Sequence, residues 1–179
     1  MSVACLHIPH FGLRVSMLSR PELDGHPLVL SDPHHGRPTV LDATPEARQR
    51  GVRTGLSLRE TMALCPTAIV LAPDPAAEHE QAHAISAALD AISPLVEPAA
   101  DDSGTWYIDL TGLDRHFTSV RSAAEHILRQ AAPSLRPRVG VAISKFAARV
   151  AANRSAPGGV TLVSPARTLA LLENAPIEL

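Results

Sequence analysis

The stretch Thr105-Trp-Tyr-Ile-Asp-Leu-Thr-Gly112 carries the only Trp and the only Tyr of the 179-residue chain. Its β-branched and aromatic residues, closed by a Gly, predict a strand. Alternation along that strand sends Trp106, Ile108 and Leu110 to one face and Tyr107, Asp109 and Thr111 to the other. A carboxylate on the second face has three readings. It is exposed to solvent, it caps the following turn, or it belongs to a site.

The segments around this strand alternate between short apolar runs and helical stretches, without the regular period of a doubly wound fold. Val3 to Ile8 reads as a first buried strand stopped by Pro9, and residues 11 to 18 as the start of a helix weakened by Gly12. Leu28 to Ser31 and Thr39 to Asp42 read as two strands around an Asp32-to-Pro38 turn. Thr44-Pro45-Glu46 predicts a helix start with Thr as cap, running to about Arg50 and ending at Gly51. Ser57 with Glu60 predicts a capping box opening a helix to Leu64, followed by a strand from Ala68 to Leu71. Asp74-Pro75 opens a long helix to Ile92, its stripe formed by Ala77, Ala84, Ile85, Ala88, Leu89 and Ile92. Further on, the pattern predicts a helix from Ser119 to Ala132 and an inner strand from Arg138 to Ile143. It adds an Ala-rich helix from Lys145 to Asn153, a strand from Val160 to Val163 and a helix from Pro165 to Leu172. Sixteen prolines punctuate these elements.

Hydrophobic residues at 45% and charged residues at 19% are an ordinary globular balance, and a net charge of -2 argues against a whole-surface nucleic-acid binder. Cys5 and Cys65 lie in apolar stretches without ligand spacing, so they are expected as buried free thiols in a reducing cytoplasm. The N-terminus lacks the pattern of a signal peptide, and no apolar run approaches a membrane span. His7, His10, His34 and His35 invite a metal hypothesis. The spacing of the first two on an extended segment and the polar turn around the second two argue against a zinc site. Arg48, Arg50, Arg53 and Arg59 form either a patch facing nucleic acid or a solvated helical surface.

Four segments, in this order, resemble the Y-family (UmuC/DinB-type) translesion DNA polymerases. They are Leu6-His-Ile-Pro9-His-Phe11, then Thr44-Pro-Glu-Ala-Arg48-x-x-Gly51-Val52 with Cys65-Pro66, then the Tyr107-Ile-Asp109-Leu-Thr111 strand, and finally Gly140 to Gly159 with Ser144-Lys145. The resemblance implies an α/β (α+β) fold, a ferredoxin-like polymerase palm with a small helical fingers insertion. Residues 1–30 and 75–165 would form the palm and 31–74 the fingers, and 166–179 would begin a truncated thumb.

The family's metal-binding acids fall at Pro9 and Phe11 of the first strand and at Gly104 and Thr105 of the second. None is an acid. Asp101 and Asp102 lie about 10 Å too early if the segment is extended at about 3.3 Å per residue, and a bulge absorbs only one residue of that. In the nucleotide pocket Arg48 is kept, but Pro45 replaces the neighbouring Tyr and Ala156 replaces a phosphate-reaching Lys. Arg48 alternatively reads as a helix C-terminal cation. Arg48, Arg53 and Lys145 remain as vestigial nucleotide- or DNA-binding positions. This combination resembles the ImuB-like, non-catalytic branch of the family. The resemblance implies no enzymatic activity, no cofactor and no metal. It also implies an adaptor role in error-prone translesion synthesis and SOS mutagenesis. The partners would be an error-prone replicative-type polymerase, a sliding clamp, a mutasome accessory protein and, weakly, damaged primer-template DNA. The alternative is an active translesion polymerase using Asp101 or Asp102 in a shifted register, with Mg²⁺.

Overall fold

The structure is a computed structural model that describes residues 2–32, 36–100 and 102–173. The His34-His35 pair, Asp101 and the 174–179 tail therefore lie outside the described residues. The chain divides into two compact units, one formed by residues 1–9 and 82–179 and the other by residues 10–81.

The larger unit is built on a five-stranded sheet in the order β5-β6-β1-β7-β8. Its strands are β1 (Val3–His7), β5 (Val96–Pro98), β6 (Thr105–Asp109), β7 (Arg138–Ala142) and β8 (Val160–Leu162). β1 runs antiparallel to both neighbours, so Cys5 stands opposite Tyr107 on one side and Gly140 on the other. Directly opposed residues share a face, and His7, Cys5, Val3, Thr105, Tyr107 and Asp109 therefore line one side of the sheet. Trp106 and Ile108 occupy the opposite side and are fully buried. This is the alternation read from the sequence.

Four helices belong wholly or partly to this unit: α4 (Pro75–Asp90), α5 (Val120–Leu128), α6 (Lys145–Arg154) and α7 (Pro165–Glu173). Trp106 Nε1 donates to Ser86 Oγ of α4 at 2.9 Å, which gives the buried indole its polar partner. α6 lies on the other face, where Cys5, Ala142, Ala147, Ala148 and Ala152 form a small-residue core. The composition has a steric cause. A Cβ placed on Gly140 would stand 2.2 Å from Ala148 O and Ala152 N. Only a bare Gly on β7 and methyl side chains on α6 permit so close an approach of helix backbone to strand. Ser144 caps α6 by accepting from the Ala147 N–H.

The smaller unit holds α1 (Phe11–Met17), β2 (Leu28–Leu30), β3 (Asp42–Ala43), α2 (Pro45–Arg48), α3 (Leu58–Leu64) and β4 (Ile69–Leu71). Its sheet order is β3-β2-β4, with β2 antiparallel to β3 and parallel to β4. Ser57 and Glu60 form the expected reciprocal capping box of α3. Val29, Val40, Ala43, Ala47, Val52 and Cys65 make a fully buried core, and both cysteines are free and buried.

Several local expectations differ from the structure for identifiable reasons. The strand expected over Thr39 to Asp42 pairs instead at Asp42–Ala43, while Thr39 bridges to Ser57. Thr44 does not cap α2 with its side chain. Its hydroxyl accepts from the Leu28 N–H and donates to His26 O, tying β3 to β2. Of the stripe expected on α4, only Ile85 and Leu89 are buried, because alanines at helical spacing leave a surface as readily as they line a core. Val120 is 46% exposed, and the buried face of α5 is Ala123, Ala124 and Ile127. Residues 21–23, 113–115 and 133–135 form short 3₁₀ turns that the periodicity did not mark.

Candidate active site at the head of the large sheet

β1 and β6 end side by side, with His7 opposite Thr105. Both side chains are buried, His7 at 6% exposure and Thr105 at 0%. Pro9, Gly104 and Thr105 cluster at this end, where Ile8 N donates to Gly104 O at 2.8 Å. Phe11 lies at the start of α1 in the smaller unit, buried and apolar.

Asp102 is not where an extended chain would leave it. Residues 103 and 104 form a turn. Asp102 Oδ1 accepts the Gly104 N–H at 3.0 Å, and its backbone carbonyl accepts the Thr105 N–H at 3.2 Å. Asp-Ser-Gly is a sequence suited to such an Asx-type turn. The fold-back brings Asp102 Oδ2 to 2.8 Å from the Thr105 hydroxyl. The 10 Å separation expected from strand geometry is therefore overturned, and the side chains at positions 102 and 105 occupy one spot.

A third residue completes the cluster. Arg149 of α6 donates from one terminal nitrogen to Asp102 Oδ2 at 2.6 Å and from the other to Thr105 Oγ1 at 2.6 Å. His7 Nδ1 lies 2.9 Å from Thr105 Oγ1 and 3.7 Å from Asp102 Oδ2. The Thr105 proton is directed at Asp102, so the hydroxyl has only acceptor capacity left for Arg149 and His7, which places the His7 proton on Nδ1. Burial works against the charged form of Asp102. The Gly104 and Thr105 hydrogen bonds, then Arg149 and His7, override it and hold the carboxyl below its ordinary value. Just below, the Cys5 thiol is pushed up to about 12, chiefly by burial, with Arg149 opposing the rise and Asp102 adding to it. Arg149 was not singled out by sequence reasoning. The signal available was its position one residue after Ala148 and three before Ala152, the two alanines that face the sheet.

The remaining expected positions are dispersed. Lys145 pairs with Glu97 of β5 and stands over the Tyr107 ring, with Nζ 5.6 Å from its centroid. Asp109 accepts from the Thr111 N–H and hydroxyl at 2.9 and 2.7 Å, the turn-capping reading of that residue. In the smaller unit Arg48 donates to Ala43 O and to Asp42 Oδ1, each at 2.9 Å, and His10 Nδ1 lies 2.9 Å from the same carboxylate oxygen. Arg50 bonds Thr67, while Arg53 and Arg59 are exposed. His7 and His10 thus serve different clusters, in different units. Among the described residues no group of three His, Cys, Asp or Glu side chains is placed to hold a metal ion.

A two-metal polymerase site requires several carboxylate oxygens turned toward a shared centre. The head of this sheet offers one described carboxylate, already engaged by a guanidinium, a hydroxyl and a backbone N–H. As they stand, these residues do not fit a pair of divalent ions.

The chain matches the impB/mucB/samB family over residues 6–153. It is 31% identical over 170 residues to DNA polymerase IV of Exiguobacterium sibiricum, covering 92% of this chain and 46% of that protein. It is 29% identical over 169 residues to DNA polymerase IV of Pseudomonas putida, covering 93% of this chain and 47% of that protein. Among solved structures, the insertion ternary complex of Dbh DNA polymerase superposes with a TM-score of 0.80 at 24% identity, covering 99% of this chain and 53% of that one. DinB from Sulfolobus solfataricus gives 0.77 at 24% identity, covering 93% and 49%. The chain thus spans about half the length of the relatives it matches. These findings support the α/β palm-and-fingers fold. They overturn the expectation of a chain without enzymatic activity, because the relatives in sequence are named as polymerases. By its match over most of its length, the chain belongs to the impB/mucB/samB family, that of the Y-family (DinB/UmuC-type) polymerase N-terminal domain.

Proposed function

We propose that the full-length protein is a Y-family translesion DNA polymerase, extending a primer on damaged template by nucleotidyl transfer. In this reading the chain contributes palm and fingers, and Asp102 is the acid at the palm head. Support comes from the family match and from relatives named DNA polymerase IV. The observation that carries the assignment of Asp102 is its fold-back, which sets its carboxylate 2.8 Å from the hydroxyl of Thr105, a position where the family carries an acid. An acid placed two residues before Gly104 thereby reaches the place that acids at 104 and 105 would serve. His7 and Thr105 hold that carboxylate in place, and Arg149 balances its charge.

The test is template-directed primer extension by the full-length protein on undamaged and abasic templates. Extension is expected with wild type and is expected to be lost in Asp102→Ala, with the thermal melt of that variant showing that it folds. No extension by wild type would refute the polymerase reading. Undiminished extension by Asp102→Ala would refute the assignment of the acid.

A further inference from the structure

Residues 126–172 hold seven of the chain's sixteen Lys and Arg and none of its eighteen Asp and Glu, which leaves nine cations against eighteen acids elsewhere. The small net charge of -2 therefore conceals two regions of opposite sign. The basic one folds into the end of α5, then β7, α6, β8 and α7. Lys145 and Arg149 are paired there with Glu97 and Asp102. Two others, Arg129 and Arg136, line a groove of about 590 Å³ between the end of α5 and the loops that enter β7 and β8. Ligand-binding clefts span about 300–1,000 Å³.

The rest of the lining is aliphatic, chiefly Leu128, Ala131, Pro133, Pro137 and Pro157. Each proline fixes its backbone, and the Gly158 N–H donates to Pro137 O at 2.8 Å, tying the two loops together. The groove is thus shaped before anything binds, which lowers the entropy lost on binding. Arg136 is its unusual member. Its φ of 54 and ψ of 49 are left-handed backbone, which suits Gly and strains any residue with a side chain. A guanidinium kept where Gly would relieve that strain points to a use for it. No acid lines the groove among the described residues, and the acid of α5, Glu125, pairs with Arg121 at 3.9 Å.

We propose that this groove docks an acidic segment of a partner protein, with aliphatic side chains of the segment against the prolines and its carboxylates on Arg129 and Arg136. Charge selects the sign of the partner, and a guanidinium fork suits carboxylate and phosphate alike. The lining separates these two. Single-stranded nucleic acid binds by stacking its bases on aromatic rings along a basic track, and no aromatic side chain lines this groove among the described residues. An aliphatic wall flanked by arginines suits a polypeptide that carries Leu or Ile among acids. Asp102, Thr105 and Arg149 are not part of the lining, so the proposal is independent of the polymerase reading.

The experiment is a fluorescence-anisotropy titration of a labelled peptide, Glu-Asp-Glu-Leu-Pro-Leu-Asp-Glu, with the full-length protein. A glutamate octamer and oligo(dT) are the comparison probes. The peptide is expected to bind wild type at least about tenfold tighter than the octamer, because the octamer lacks the apolar contact. Arg136→Gly is expected to melt no lower than wild type, since Gly accepts this backbone, and to bind the peptide at least about fivefold more weakly. With Arg129→Gln added, the loss is expected to reach at least about tenfold, whereas Arg167→Gln, an equal change of charge outside the groove, should stay within about twofold of wild type. Should Arg136→Gly not fold, Arg129→Gln alone carries the same expectation. Peptide affinity unchanged in the groove variants would overturn the proposal, as would equal affinity for the octamer. Tighter binding of oligo(dT) that the same variants abolish would assign the groove to nucleic acid and overturn it too. Self-association lost in those variants, without peptide binding, would assign it to a second copy of the chain with the same consequence.

Discussion

Replacing Gly140 by Ala tests how closely α6 lies on β7. The added Cβ would meet Ala148 O and Ala152 N at 2.2 Å and Ala151 C at 2.8 Å. Ordinary contact begins at 3.4 Å, so the helix would have to retreat by about 1.2 Å, and the atoms in the way are backbone that no rotamer change can move. Such a retreat opens the layer of Cys5, Ala142, Ala147, Ala148 and Ala152 along its length. Overpacking costs about 1–3 kcal/mol when side chains can adjust, and here the upper end applies. The reduced entropy of the unfolded chain returns about 0.4–1 kcal/mol. A net loss of about 2–3 kcal/mol corresponds to a fall in Tm of about 4–12 °C for a chain of this size. Urea and thermal unfolding followed by the fluorescence of Trp106, the only Trp and a residue of the same unit, would read it. Gly158→Ala, in the same unit, is the control. That Gly has φ +71 and nothing within 4 Å of the added atom, so only the left-handed backbone term of about 1–2 kcal/mol applies. A Gly140→Ala variant melting within about 2 °C of wild type, or above Gly158→Ala, would show that α6 stands away from the sheet and that the reasoning is wrong.

Asp102 also predicts an acid limb of stability. Its folded carboxyl lies below the ordinary value of 3.8. Its contribution is therefore complete above that value and disappears as the pH falls through the folded value. Asp102→Asn should flatten the acid side of a stability-against-pH curve below about pH 4, and an unchanged acid limb would contradict the ion pair. In the smaller unit, Ser57→Ala removes the side-chain acceptor of the α3 capping box. It should cost about 1 kcal/mol in urea unfolding, and a cost under about 0.3 kcal/mol would show the cap to be idle.

Where residue type alone dictated geometry, the sequence was legible. The Thr105–Asp109 alternation placed Trp106 and Ile108 inside, since a strand has no freedom to do otherwise once one face is covered. The Ser57–Glu60 box formed because its partners are three residues apart and need nothing from the rest of the fold. Thr44 behaved differently, because a hydroxyl near β2 found better partners across the sheet than along its own helix. The candidate site was legible only in part. Its positions at Pro9, Gly104 and Thr105 were marked, but the reach of Asp102 was misjudged by treating Asp102-Ser-Gly104 as extended chain. The Asp side chain closing on the Gly104 N–H made it a turn. Arg149 stayed hidden because its partners are 44 and 47 residues away in sequence. No local pattern reveals such a pairing.

The two free thiols are distributed one to each unit, Cys5 on the central strand of the larger sheet and Cys65 closing α3 in the smaller. Both are fully enclosed, so a reagent in solution meets neither until the surrounding unit opens. Each half of the chain therefore carries its own chemical record of opening. Alkylation at one site with the other intact distinguishes a local event from collapse of the whole molecule, without any label added to the protein.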